Sequence, residues 1–248
     1  MITMNERWLN YTAECVGTAF MVAFGLSSVA LFWSSFSPIP ALMPDPGIRR
    51  LLTGALFATG VVAVIYSPVG RKTGAHINPS VTISLLFLKK IAAPDAFGYV
   101  IAQCVGAVFG SGAVYLVFNV LLGWHDGLMK GVTLPDPTYG AGAAFAGELI
   151  STFILMAAIL GMANFGHHSR YTGLVVGAVV TLAVWIEAPF SGTSLNAARS
   201  FGPALLTGEW NAFWVYAVAP LAGALIAAVS YRLIFRGAGK CPAGCRGA

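Results

Sequence analysis

The apolar positions of this chain gather into long uncharged runs. Residues 51–69, 96–124, 149–165, 171–186 and 211–231 carry no charge, and a further run, 8–33, is interrupted only by Glu14. A hydrocarbon core about 30 Å thick needs roughly 20 mostly apolar residues of helix to cross it. Each run is read as a transmembrane helix, some at the short limit, and six spans is the most economical count. The first run lacks a basic stretch ahead of it and is long enough to stay in the membrane, so it does not read as a cleaved signal peptide.

Two shorter apolar stretches break the pattern. Residues 78–88 stop at Lys89-Lys90, and residues 196–208 end at Gly208. At about 1.5 Å per residue such a stretch covers only half the membrane. The linkers ahead of them, "SPVGRKTGAHI" and "APFSGTSL", are rich in Gly, Pro and Ser and are expected to be non-helical. Backbone of that kind is tolerated at membrane depth only where it is buried in protein or lines a watery cavity. The pattern therefore predicts two re-entrant half-helices.

The halves of the chain repeat each other. "AECVGTAF" answers "AGELISTF", placing Glu14 and Glu148 134 positions apart; "GAHINPSVT" answers "GTSLNAARS", placing Asn78 and Asn196 118 apart; "AQCVGAVF" answers "APLAGALI". Each half holds an odd number of spans, so the second copy enters the membrane from the opposite side. The expected fold is an all-α membrane protein of six transmembrane helices plus two re-entrant half-helices in an inverted repeat. It forms one domain over 1–248, with repeats at about 8–122 and 142–236 and a flexible tail at 237–248.

Composition agrees. Of 248 residues 57% are apolar and 9% charged, where a soluble domain carries about a quarter charged. With six spans both ends share a side. That side receives Arg7, Arg71, Lys72, Lys89, Lys90, Arg170, Arg232, Arg236, Lys240 and Arg246, against Arg49, Arg50, Lys130 and Arg199 on the other. The bias predicts cytoplasmic termini. The net charge of +5 then reflects topology, and no basic cluster interleaved with aromatics suggests nucleic acid. Cys15 and Cys104 fall inside spans and read as small packing residues. Cys241 and Cys245 in "KCPAGC" lack the partners of a metal site, and no role is assigned to them.

Chemistry concentrates at the half-helices. Asn78 and Asn196 stand at their starts, where Asn is a strong N-cap. Each carbonyl can accept a first-turn N–H while the NH₂ group remains a donor. Two caps from opposed half-helices would place two amide donors at mid-membrane, with both positive dipole ends aimed there. That field opposes cations, including protons carried by water, and admits uncharged oxygen-bearing molecules. Pro79 suits the first helical position, and Ala197 matches it in the second half. Arg199 lies three positions into its half-helix, where a cation opposes the dipole; an intramembrane Arg there is read as functional rather than snorkelling. His76 is expected in the vestibule on the cytoplasmic side. Glu14 and Glu148 are expected to accept backbone N–H groups of the linkers, with a proton relay as the other reading. The glycines at 106, 110, 161, 177 and 223 read as close helix packing.

On "AECVGT", "GAHINPSVT", "AGELISTF" and "SLNAARSFGPAL", residues 8–236 resemble the aquaporin, or major intrinsic protein, family. The family has Asn-Pro-Ala at both half-helices; this chain has Asn78-Pro79-Ser80 and Asn196-Ala197-Ala198. The resemblance implies a homotetramer with one pore per subunit in the plasma membrane (the inner membrane of a bacterium), passive flow and no cofactor. It also implies a selectivity filter, which counting along the motifs assigns to Ala58, Val184, Thr193 and Arg199; a slip of one residue in the second span puts Phe57 in place of Ala58. With Ala58 and Val184 the filter is wide, similar to nodulin-like members that pass urea, glycerol and neutral metalloid acids. Ser200 points the other way, since glycerol facilitators carry Asp there. The expected partners are water, small neutral solutes and the lipid bilayer. The readings are a wide-filter channel, a water-selective channel and, from a different class, an ion-coupled secondary transporter. An enzyme is not expected, because the spans carry no catalytic or metal-ligand constellation.

Overall fold

The computed structural model describes residues 3–164 and 166–235; Cys241, Cys245, Arg236, Lys240 and Arg246 lie outside them. The helices are α1 (Met4–Trp33), α2 (Ile39–Leu42), α3 (Pro46–Tyr66), α4 (Pro68–Thr73), α5 (Pro79–Phe87), α6 (Ala93–Val114), α7 (Gly140–Asn164), α8 (Thr172–Ser191), α9 (Ala197–Thr207) and α10 (Phe213–Phe235). Helix α6 runs on through a π-helical stretch, Tyr115–Leu121. Six of these, α1, α3, α6 with its extension, α7, α8 and α10, are long and apolar enough to cross a membrane. Large apolar side chains such as Trp8, Phe109, Ile150 and Ile234 point outward, as lipid contact requires.

Several helices start where their sequence says they should. Asp45 caps α3 through the Ile48 N–H, and Ser67 caps α4 through the Gly70 N–H. Asn78 and Asn196 cap α5 and α9 in extended conformation, so Pro79 and Ala197 occupy the first helical turn. An extended residue is the one that tolerates a following proline, and the first-position N–H has no helical partner to lose. Ala197→Pro is therefore expected to fold with stability unchanged or raised by about 0.4–1 kcal/mol. Thermal unfolding of the purified variant checks this, and a collapse in yield would reject the cap geometry.

The repeat governs the packing. Helix α1 packs along α6 and α7 along α10, the equivalent pair in each half, while α3 crosses to α8. Each half-helix leans on the last span of the other repeat, α5 on α10 and α9 on α6, and the two touch. Glycine makes the close crossings possible. A Cβ on Gly106 would run into the Cys15 carbonyl oxygen, and one on Gly223 into the Leu149 carbonyl oxygen; Gly110 and Gly177 are similarly closed by Ala19 and Val62. Gly161 differs from the expectation: among the described residues of this chain a Cβ there meets nothing within 4 Å, so none of the described helices closes on it.

The linkers are more helical than their composition suggested. "PVGRKT" forms α4, closed by the left-handed Gly74, and "APFS" completes α8 up to the left-handed Gly192. Proline opens the first and falls in the last turn of the second, where neighbouring residues can absorb it. Only residues 74–77 and 192–195 remain irregular.

Candidate functional site

Those irregular segments enter the bundle from opposite ends. Ala75 and Ile77 take φ of 48° and 39°, and Thr193 and Leu195 take 56° and 57°. The positions match at the offset of 118 that relates the two asparagines. Left-handed backbone costs a non-glycine residue about 1–2 kcal/mol, so something must hold it. The buried carboxylates do. Glu14 accepts from the Thr73 hydroxyl at 2.6 Å, the His76 N–H at 3.1 Å and the Ile77 N–H at 2.7 Å. Glu148 accepts from the Ser191 hydroxyl at 2.7 Å, the Ser194 N–H at 2.6 Å and the Leu195 N–H at 2.7 Å. Donor for donor, the second set is the first moved by 118 positions.

The repeats differ around these carboxylates. Gln103 Nε2 donates to Glu14 at 2.8 Å and to Thr82 at 3.0 Å. In the second half Glu187, buried against Gly147, lies within electrostatic reach of Glu148. In the sequence Glu187 directly follows the uncharged run 171–186, where a charge reads as the end of a span.

Asn78 and Asn196 meet across the repeat. Asn78 Nδ2 donates to the Leu195 carbonyl at 2.8 Å, and Asn196 Nδ2 donates to the Ile77 carbonyl at 2.7 Å. Their Oδ1 atoms accept from Ser80 N, and from Ala198 N and Arg199 N. One amide hydrogen of each asparagine is thus committed to the opposite loop. The second N–H is the one left for a solute.

Three chambers follow one another past this point. The central one, about 140 Å³, is lined by both asparagines, residues 74–77 and 193–195, and an apolar wall that includes Met21, Val61, Leu155, Val176 and Val180. A second, about 410 Å³, opens on the side of the chain's N-terminus and carries Glu6, Lys72, Lys90 and Asp95. It shares a single lining residue, His76, with the central chamber. The His76 ring meets Tyr99 edge-on and its Nδ1 lies 3.1 Å from the Thr82 hydroxyl. That hydroxyl gives its proton to the Asn78 carbonyl, so Nδ1 is the donor and Nε2 the acceptor in neutral His76.

The third chamber, about 230 Å³, opens on the opposite side, and four residues belong to it and to the central chamber alike: Phe57, Val184, Thr193 and Arg199. These form the neck between the two. Arg199 is buried, donates from NH1 to the Gly131 carbonyl at 2.6 Å and lies 5.5 Å above the Phe57 ring. Gly131 comes from the loop between α6 and α7, a partner that sequence could not reveal because it acts through its backbone. Ser200 hydrogen-bonds Thr133 of the same loop at 2.7 Å and Ser194 at 2.6 Å, tying loop to half-helix.

Of the four residues expected at the filter, Val184, Thr193 and Arg199 stand together and Ala58 does not. Ala58 is buried in the seam between α3 and α8, opposite Gly177. One residue turns a helix by about 100°, which moves Ala58 off the pore face and puts Phe57 on it. The neck therefore holds an aromatic ring where a methyl group was expected.

Six membrane helices, two opposed half-helices and a row of chambers that share lining residues are the architecture of a transmembrane channel. The Major intrinsic protein family model matches residues 1–231. Aquaporin AqpM of Methanothermobacter thermautotrophicus is 34% identical over 94% of this chain and 99% of its own length. Nodulin-26 of Glycine max is 34% identical over 90% of this chain and 76% of its own length. The aquaglyceroporin of Plasmodium falciparum has the same fold, with a TM-score of 0.77 at 23% identity over 94% of this chain and 98% of that one. The chain belongs to the major intrinsic protein family. It is a multi-pass membrane channel of the aquaporin type for water or small solutes, and not an enzyme.

Proposed function

We propose that the channel passes water and small uncharged solutes by passive diffusion and excludes protons and ions. The four-residue neck above the paired asparagines carries this reading. A molecule in the central chamber has an apolar wall on one side and main chain with two amide donors on the other, so it slides past few, directional partners. Two half-helix N-termini aim the equivalent of about half a positive charge each at the asparagines, and Arg199 adds a full one at the neck. A cation loses its hydration there and gains nothing in return.

Val184 gives the neck an aliphatic wall without a donor, which suits glycerol, urea or a neutral metalloid acid better than a polar wall does. Phe57 favours the second reading, a strictly water-selective channel, because its ring occupies space that Ala58 would have left open. The Lys/Arg bias of the loops supports cytoplasmic termini, and family membership supports a homotetramer in the plasma membrane. Swelling of proteoliposomes separates the readings. Solute entry down gradients of glycerol, urea and boric acid, linear in concentration and independent of ion gradients, is the expected result. Water flow without solute entry would leave the water-selective channel, and saturable uptake driven by protons or sodium would replace both with a transporter.

A further inference from the structure

The two mouths of the pore are charged very differently. On the N-terminal side Lys72 and Lys90 are offset by Glu6 and Asp95. On the other side the chamber wall carries Arg50, Lys130 and Arg199 and, among the described residues, no carboxylate. Arg199 belongs to the neck, but Arg50 and Lys130 stand in the wide part, where a solute squeezing through the neck does not touch them. Their placement is therefore not explained by selection at the constriction.

The polar contacts of these cations leave donors free. Arg199 spends NH1 on the Gly131 carbonyl, while its buried Nε has no hydrogen-bond partner. Arg50 Nε is likewise buried and unpartnered. Lys130 has a loose ion pair with Asp126 at 3.8 Å, and the Asp126 oxygens already accept from the Ser34 hydroxyl and from the N–H and hydroxyl of Ser35. Arg49, whose Nε is also buried without a partner, lies outside the chamber wall, with NH1 on the Phe32 carbonyl and its guanidinium over the Trp33 ring. Two guanidinium groups and an ammonium lining one small chamber, with no carboxylate among its described lining residues, match the planar, multi-acceptor geometry of an oxyanion. Low-dielectric walls strengthen that attraction.

We infer that this mouth is a binding site for a small oxyanion, such as phosphate or a carboxylate, held by Arg50, Lys130 and Arg199. Bound there, the anion sits above the neck and obstructs it, so the site ties permeation to the anions on that side. The inference rests on the channel reading only for its effect on flow; binding itself does not depend on it.

The test uses purified protein and inorganic phosphate. Titration in an uncharged detergent is expected to give a dissociation constant on the order of 1 mM. Arg50→Gln together with Lys130→Gln should weaken it about tenfold or more. Lys130→Gln alone, at a half-exposed position, gives a smaller loss without risk to the fold. In phosphatidylcholine vesicles with phosphate on both sides, water flow should slow relative to equal ionic strength of chloride. Each variant is compared with its own chloride rate, and the double variant should lose the effect. Slowing that needs no phosphate but appears when phosphatidylglycerol is added assigns the same cations to a lipid headgroup. Absence of phosphate binding, or binding unchanged in the double variant, overturns the site. Vesicles that swell no faster than empty ones would instead defeat the channel reading, with the titration still deciding the site.

Discussion

Glu14→Ala is expected to abolish folded protein, while Glu14→Gln is expected to survive in weakened form. The carboxylate is fully buried and accepts from four donors: the Thr73 hydroxyl, the His76 and Ile77 N–H groups and Gln103 Nε2. Alanine leaves all of them unanswered at membrane depth, where each unsatisfied group costs about 1–3 kcal/mol. The same substitution releases the left-handed Ala75 and Ile77 from the contacts that hold them. Four donors at that cost sum to about 4–12 kcal/mol, comparable with the roughly 5–15 kcal/mol by which a folded domain is stable. Glutamine keeps one acceptor oxygen and turns an NH₂ group toward Gln103. The Gln103 Oε1, which has no partner, can then accept from it once that amide rotates, so the losses are the acceptor for the Ile77 N–H and the Gln103–Thr82 hydrogen bond. Thermal unfolding and size-exclusion yield in detergent measure the ranking. A wild-type melting curve for the alanine variant would show that the loop does not depend on Glu14. Water flow in the surviving glutamine variant also tests the alternative, because a proton relay through this residue requires loss of transport at unchanged stability.

What could be read from the residues and what could not divide along physical lines. The half-helices, the asparagine caps and the two glutamates were legible because each appears twice, and a coincidence at offsets of 134 and 118 leaves little room for other registers. The role of Glu14 and Glu148 followed from the need to satisfy backbone donors in lipid. The residue that α3 presents to the neck was not legible in the same way. Nothing in α3 anchors its rotation, since neighbouring Phe57 and Ala58 are both apolar and both buried. Only the pairing of α3 with α8, through Gly54 and Gly177, decides which of them faces the pore. Glu187 was hidden by its own charge, which reads as a helix end until the fold buries it. The carbonyl partners Ile77, Leu195 and Gly131 were invisible because every residue has a carbonyl, and only backbone conformation selects the ones that are used.

Val184→His is expected to reduce glycerol and urea entry by roughly 10- to 100-fold, the range in which a pocket discriminates by about a methylene's volume. Val184 stands on α8 facing the neck, with Gly54 directly behind it: a Cβ there would come within 2.9 Å of the Val184 Cβ. The side chain at 184 is therefore held from behind, and added bulk must project toward Phe57 and Arg199. An imidazole would fill the width that valine leaves and offer a hydrogen bond to whatever remains small enough to pass. Water loses space but gains a partner, so its flow should stay within about threefold, less than 1 kcal/mol of barrier. A three-carbon polyol has no such compensation, because the narrowing bars its width whatever bonds it can form. Phe57→Ala acts in the opposite sense, removing the ring beneath the Arg199 guanidinium, and should raise solute entry. Stopped-flow light scattering of the two variants against wild type, with water and solute gradients measured on the same vesicles, tests both directions. If water and glycerol fall together in Val184→His, the neck does not discriminate by width. If glycerol entry is unchanged, selection happens elsewhere in the pore.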